Sequence, residues 1–392
     1  MKNLTRTVWI LSLVSLFTDM ASEMLYPVMP VYLKSVGFSI ALIGILEGVA
    51  EATAGLSKGY FGAVSDRAGK RVPFVQAGYA LSAISKPMMA LFVFPVWIFL
   101  ARTIDRLGKG IRTGARDALL SEEATPETKG SVFGFHRSMD TFGAVLGPLL
   151  ALLYLCFYPN DYKTLFFLAF IPGFLAILSS LYLKDKKAVN IAQKQRPSFF
   201  SFITYWKTSP VLYRRLVAGL LAFALFNSSD IFLLLKAKET GLGDTTVIGI
   251  YIFYNLVYAL TAYPLGIMAD RIGLKRMFIA GLSVFALVYI GMSFVNNLYA
   301  LMLFFLLYGV YAAATEGISK AWISNITKKQ DTATAIGTYS GFQSVCAMLA
   351  SALTGLIWHA CGAGVALQVT GFATAITVLY LAFFVKSSHS QA

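Results

Sequence analysis

Charge is what this chain has least of: Asp, Glu, Lys and Arg make up only 13% of its 392 residues, about half the share of a typical soluble domain. A water-soluble globular class is excluded on that ground. The three cysteines, Cys156, Cys346 and Cys361, lie in or beside apolar runs with no CxxC spacing. A disulfide framework or metal site is therefore not expected, and small apolar packing is their expected role. With only three histidines, no HExxH and no GxxxxGK[ST] loop, the chain lacks the usual starting points of a zinc hydrolase or a nucleotide-driven machine. It is expected not to be an enzyme and to need no cofactor. No cleavable leader is expected, because Asp19 and Glu23 interrupt the first apolar segment, which runs on to Pro30 and reads as a retained span.

Apolar residues fill the space that charge leaves: 57% of the chain is hydrophobic and mean hydropathy is +0.68. At about 20 residues per crossing, the apolar segments predict an all-α polytopic membrane protein with twelve transmembrane helices. The expected spans are 8–33, 40–63, 73–94, 96–119, 131–157, 164–183, 214–236, 246–266, 276–295, 298–323, 333–358 and 365–385. The net charge of +14 would suggest a nucleic-acid partner in a soluble protein. Here it follows membrane topology, since the bases crowd alternate loops. Lys2, Arg6, Arg67, Lys70, Arg71, Lys129, the stretch 184–215, Arg271, Lys275, Arg276, Lys328, Lys329 and Lys386 fall on one side, against Lys34, Lys163, Lys236 and Lys238 on the other. Both termini are predicted to be cytoplasmic and no nucleic acid is expected.

One long basic and polar interruption divides the chain. It predicts an N-terminal six-helix bundle over 1–184, a cytoplasmic linker over 185–213 and a C-terminal six-helix bundle over 214–392. The aromatic part of the linker, 199–206, predicts a helix at the membrane surface. A repeat agrees with the division. Gly62-Ala-Val-Ser-Asp66-Arg67-Ala-Gly69 follows the second span, and Gly266-Ile-Met-Ala-Asp270-Arg271-Ile-Gly273 follows the eighth, 204 positions later. The glycines permit close helix approach and a tight turn, the aspartates can cap a neighbouring helix, and the bases hold the loop on the cytoplasmic face. Two such loops at matching positions indicate duplicated halves.

The duplicated GxxxDRxG loop resembles the signature of the major facilitator superfamily, and the resemblance covers the chain from first span to twelfth. Arg106-Leu-Gly-Lys109-Gly110 is similar to the superfamily's RxxxG element, and Gly143-Ala-Val-Leu-Gly147-Pro148 to the GxxxGP element associated with antiporters. Lys109 stands where Gln is frequent and Arg112 where small residues are usual. The resemblance implies two pseudo-symmetric bundles, alternating access and a multi-pass protein of a bacterial inner membrane, expected to be a monomer. It also implies gating roles for Gly62, Asp66, Arg67, Gly69, Gly143, Gly147, Pro148, Gly266, Asp270 and Arg271.

The fourth span is the least membrane-like, with seven charges between Arg102 and Asp117. At roughly 2.5–3.5 kcal/mol per central charge, such a helix needs acidic partners or a watery cavity. Counting 1.5 Å per residue from each predicted face sets Glu47 level with Arg102 and Glu51 level with Arg106. Asp19 and Glu23 reach the middle and outer half of the first span, and Arg137 and Asp140 the depth of Lys109 and Arg112. A carboxylate near an arginine in low dielectric is a candidate proton carrier. Asp19, Glu23, Glu47 and Glu51 are assigned that role with Arg106 as the switch. Arg102, Lys109, Arg112, Asp140, Asp230 and Glu316 are candidate contacts for a small-molecule substrate. Lys58 and Lys86 are expected to snorkel to the faces. The expected function is secondary transport of a small organic solute, with proton antiport (efflux) ahead of proton-driven import or exchange of an organic anion such as a metabolite or siderophore.

Overall fold

The computed structural model describes residues 4–26, 28–185, 201–295 and 297–385. Lys2, Lys386 and most of the expected linker, including the start of its surface segment 199–206, lie outside the described residues. Every long element described is an α-helix. The first half contains α1 (Arg6–Glu23), α2 (Met29–Ser35), α3 (Ile40–Ala68), α4 (Val72–Leu91), α5 (Pro95–Glu122), α6 (Lys129–Phe157) and α7 (Tyr162–Ser180). A short helix, α8 (Ser201–Thr208), covers the rest of the expected surface segment. The second half contains α9 (Val211–Ala224), α10 (Ile231–Glu239), α11 (Asp244–Ile272), α12 (Leu274–Met292), α13 (Leu298–Ile326), α14 (Thr332–Cys361) and α15 (Ala363–Phe384).

These helices make twelve spans, six in each half. Two corrections to the expected boundaries concern the first and seventh spans, which are not continuous. The first breaks between α1 and α2, and a proline occupies the first turn of α2, where a missing amide is tolerated. The seventh breaks between α9 and α10 at Asn227-Ser-Ser-Asp230, residues whose short polar side chains compete with the helical backbone. The interrupted span is thus the first of each half. Seven described helices, α6, α7 and α11 to α15, are long and apolar enough to cross a membrane by length and composition. The others are broken, as above, or diluted by polar and charged residues (α3, α4 and α5). Large side chains such as Val96, Leu356, Phe383 and Tyr299 are more than half exposed, as a bilayer solvent requires.

Glycine ends two helices where the repeat predicts a turn. Gly69 takes φ 62° after α3 and Gly273 takes φ 98° between α11 and α12, left-handed values that cost glycine nothing. Gly55-Leu-Ser57-Lys-Gly59 fits the spacing of a GxSxG nucleophile motif, but it lies inside α3. It is not the strand-to-helix elbow that such chemistry needs.

By contact the chain groups into two compact units. One comprises Met1–Glu123, Met139–Lys207 and Lys328–Gly341, and the other Ala124–Ser138, Thr208–Thr327 and Phe342–Ala392. In the first, α5 packs between α3 and α4, and α7 packs on α1 and α4. This unit holds an apolar cluster that includes Leu25, Leu33, Leu46, Met89, Ile98 and Phe166. In the second, α13 packs on α11 and α12, and α12 on α15, around stacked aromatic rings such as Phe285 and Tyr289 at 4.1 Å. Cys156 and Cys361 are exposed and Cys346 is half-buried, which corrects the expectation that all three pack as small apolar groups.

Candidate functional site

The seven charges of the fourth span fall on α5, which buries Arg102, Asp105, Arg112, Arg116 and Asp117. Arg102 is the centre of a network. Its Nε and Nη2 donate to the two carboxylate oxygens of Glu47 on α3 at 2.8 and 2.9 Å, the fork geometry that suits guanidinium and carboxylate. Its Nη1 reaches Asp105 at 3.3 Å, one turn along α5. Asp105 also receives Lys86 Nζ from α4 at 3.3 Å, and Lys86 donates to Ser82 O at 2.9 Å. Arg112 donates to Ser82 Oγ at 2.6 Å and lies over the Tyr79 ring at 4.6 Å. Its Nε is buried with no hydrogen-bond partner among the described residues.

Arg106 is more loosely held. Its Nε lies 3.9 Å from Glu51 Oε2, beyond hydrogen-bond reach, and the Glu51 side chain is 46% exposed. Lys109, Arg106, Lys58 and Arg102 all act electrostatically on Glu51, so four bases bear on one carboxylate. Lys109 is exposed. The depth count therefore matched the pairs Arg102 with Glu47 and Arg106 with Glu51 that the fold brings together.

Elsewhere the fold does not follow that count. Arg137 turns away from Lys109 and Arg112, whereas Asp140 acts on Arg116, one turn beyond Arg112 on α5. Arg137 pairs with Glu316 on α13, donates to Tyr258 OH at 2.5 Å and lies 5.5 Å from that ring. Asp140 accepts from Ser15 on α1. Asp19 and Glu23 sit half-buried near the C-terminal end of α1. Lys86 is 2% exposed, so it does not snorkel. It was missed together with Asp105 because a mid-helix lysine is read by default as reaching for the surface. Its spacing from Ser82 and Ser85 on one helix face was the available signal. The tyrosines around Asp230 on α11, α12 and α13 were missed too, since aromatic abundance alone does not distinguish a packed ring from a functional one. Asp230 accepts a hydrogen bond from Tyr254 OH.

The two repeated loops do the same work twice. Asp66 accepts from the backbone amides of Ala333 (3.3 Å) and Thr334 (2.6 Å) and from Thr334 Oγ1 at the start of α14, while Arg71 donates to it. Asp270 accepts from the amides of Gly130 (2.6 Å) and Ser131 (2.7 Å) at the start of α6. In each case a carboxylate meets the exposed amides and positive dipole end of a helix. Gly62 and Gly266 are buried at the same contacts, and a side chain on Gly62 would run into the Ala333 carbonyl. Arg67 and Arg271 are exposed. Gly143 and Gly147 bring α6 against α1, with no room for a side chain at either position, and Pro148 lies buried inside α6.

Comparison with known proteins gives a consistent result. The family model described as Major Facilitator Superfamily matches residues 11–253 and 231–392. An uncharacterized MFS-type transporter of Methanocaldococcus jannaschii is 31% identical over 363 residues, covering 91% of this chain and 89% of the relative. The multidrug resistance protein MdtG of Klebsiella pneumoniae is 24% identical over 71% of this chain and 69% of its own length. Among solved structures, the human organic anion transporter MFSD10 superposes with a TM-score of 0.81 at 16% identity, covering 96% of this chain and 99% of that one.

Proposed function

The chain belongs to the Major Facilitator Superfamily, and from that membership we propose that it is a proton-coupled antiporter exporting a small organic solute. The halves 1–184 and 214–392, joined by the linker 185–213, alternate access to a central site. The observation that carries the coupling is the contrast between two neighbouring pairs on α3 and α5. Glu47 is locked to Arg102 by a fork of two hydrogen bonds, whereas Glu51 stands 3.9 Å from Arg106 and is half exposed. A carboxylate that can part from its arginine can gain and lose a proton as the protein changes state. One that is locked cannot. Export is supported by the GxxxGP element and by the multidrug-resistance relative. The aspartates of the two repeated loops hold the starts of α14 and α6 and serve as conformational latches.

A second reading is favoured by the surplus of bases around Glu51. Lys109, Arg106, Lys58 and Arg102 against one carboxylate suit a substrate that carries an anionic group, with Arg112 on the same helix as a further contact. Import or exchange of an organic anion would use the same residues.

Proteoliposomes with an imposed pH gradient test both readings. Accumulation of a solute against an outward proton flow supports export, and uptake with inward flow supports import. If Glu51→Gln leaves gradient-driven transport unchanged, Glu51 is not the proton carrier.

A further inference from the structure

Arg112 on α5 is buried, at 6% exposure, without a carboxylate of its own. A guanidinium carries five N–H donors, no acceptor and a permanent charge. The buried acids around it are engaged elsewhere. Glu47 is forked by Arg102, Asp105 holds Lys86 and Arg102, Asp117 holds Arg116, and Asp140 acts on that same arginine. Arg112 reaches Asp105 only through longer-range electrostatics. Among the described residues no carboxylate forms an ion pair with it.

The contacts that Arg112 does make leave one edge unused. Its Nη1 donates to Ser82 Oγ at 2.6 Å, and that hydroxyl spends its own hydrogen on the Asp105 carbonyl at 3.1 Å. The guanidinium carbon lies 4.6 Å from the centre of the Tyr79 ring, which offers the cation a π face but no acceptor atom. Tyr79 is 1% exposed. Arg112 Nε and the Tyr79 hydroxyl are both enclosed, and neither has a hydrogen-bond partner among the described residues. Two side chains in contact thus hold enclosed donors beside a positive charge, and Arg116, on which Tyr79 also acts, adds its field from one turn along α5. Enclosed donors are rarely left unsatisfied, and a buried charge without a counter-ion is strongly disfavoured. A water molecule would answer the donors but not the charge. An anion answers both. The helices meet closely here, since a Cβ on Gly78 would lie 2.6 Å from Arg112 Cβ and from the Gly108 carbonyl. So tight a contact favours a single-atom guest over a bulky one.

We propose that the contact between α4 and α5 binds one small inorganic anion of the halide class, which accepts from Arg112 Nε and the Tyr79 hydroxyl and serves as the counter-ion of Arg112. The ion exchanges whole with water, and no covalent or redox step is involved. The seat is separate from the exposed Lys109. It is filled with no solute present, so it does not rest on the transport reading.

The test uses the purified full chain in detergent, with chloride or bromide replacing gluconate at constant ionic strength and fixed pH. Thermal unfolding is followed as the halide concentration rises. A ligand that binds only the folded state gives a saturable increase in melting temperature, and that increase is expected in the wild type and absent in Arg112→Gln. Tyr79→Phe removes one donor to the ion and should raise the half-saturating halide concentration about tenfold. Equal melting temperatures in chloride and gluconate would mean that water holds the seat, which overturns the proposal. An increase that persists in Arg112→Gln, or that vanishes in Lys109→Gln, puts the ion on the exposed bases and overturns it as well. Should Arg112→Gln not fold, Tyr79→Phe decides, and an unmoved half-saturating concentration overturns the seat. No solute and no proton gradient enter the measurement, so failure of the Glu51 assignment leaves its outcome unchanged.

Discussion

Arg102 and Glu47 are joined through two parallel hydrogen bonds between α5 and α3, and the same guanidinium reaches Asp105. One cation thus serves two carboxylates, so its removal leaves two charges behind. Arg102→Ala is expected to destabilise the protein by on the order of 3 kcal/mol, the lower end for a broken buried pair because Glu47 is partly exposed. Arg102→Lys falls between the two, since an ammonium cannot form the fork. Thermal unfolding in detergent measures both, and an Arg102→Ala protein as stable as wild type would show the network to be ornamental.

Lys86 and Asp105 form a buried pair 3.3 Å apart, and the lysine is 2% exposed. Lys86→Met strands part of the Asp105 charge and is expected to cost about 2–4 kcal/mol. Lys86→Met combined with Asp105→Leu removes both members and should recover at least half of that loss. A double variant no more stable than the single one would contradict the pairing.

Glycines separate by what a side chain would meet. At Gly147 a Cβ would lie 2.6 Å from the Met20 carbonyl, whereas at Gly48 it meets nothing within 4 Å. Gly147→Ala and Gly143→Ala are expected to lose about 1–3 kcal/mol through overpacking of α6 on α1. Gly48→Ala should be neutral or gain about 0.5–1 kcal/mol of helix stability. The comparison is read from melting temperatures of the three variants side by side.

Asp66 and Asp270 cap α14 and α6 through their first amides. Asp66→Ala and Asp270→Ala should each cost about 0.5–2 kcal/mol. Asp66 has the larger effect, because Arg71 also loses one of its two carboxylate partners and keeps only Glu122. Asn at either position keeps an acceptor and should restore part of the loss. Equal stability of Ala and Asn variants would mean that the caps contribute nothing.

Asp161, in the loop between α6 and α7, accepts from Tyr154 OH at 2.7 Å and from the Thr164 amide at 3.3 Å. The Tyr154 hydroxyl, and then Thr164, hold its carboxyl below the usual range. A lowered folded value means that the unfolded chain binds the proton first. The contribution is therefore present above the usual carboxylate range and is lost as pH falls through the folded value. Asp161→Asn should flatten that acidic part of the melting-temperature profile, and an unchanged profile would count against it.

The amino-acid sequence by itself determined the class, the twelve spans and the duplication. Hydropathy and charge spacing act locally along the chain, and the repeated GxxxDRxG carries its turn glycine and capping aspartate within eight residues. Depth counting also matched Arg102 to Glu47 and Arg106 to Glu51, because rise per residue fixes height in a membrane. What it leaves open is rotation about each helix axis, and only the tertiary structure decided that. Rotation is set by packing against neighbours, and it turned Lys86 inward to Asp105 and Arg137 toward Glu316 and Tyr258 instead of toward α5. It also brought the aromatic side chains of α11, α12 and α13 around Asp230. The breaks in the first and seventh spans belong to the same category: the local sequence permits them, and packing against the neighbouring helices decided them.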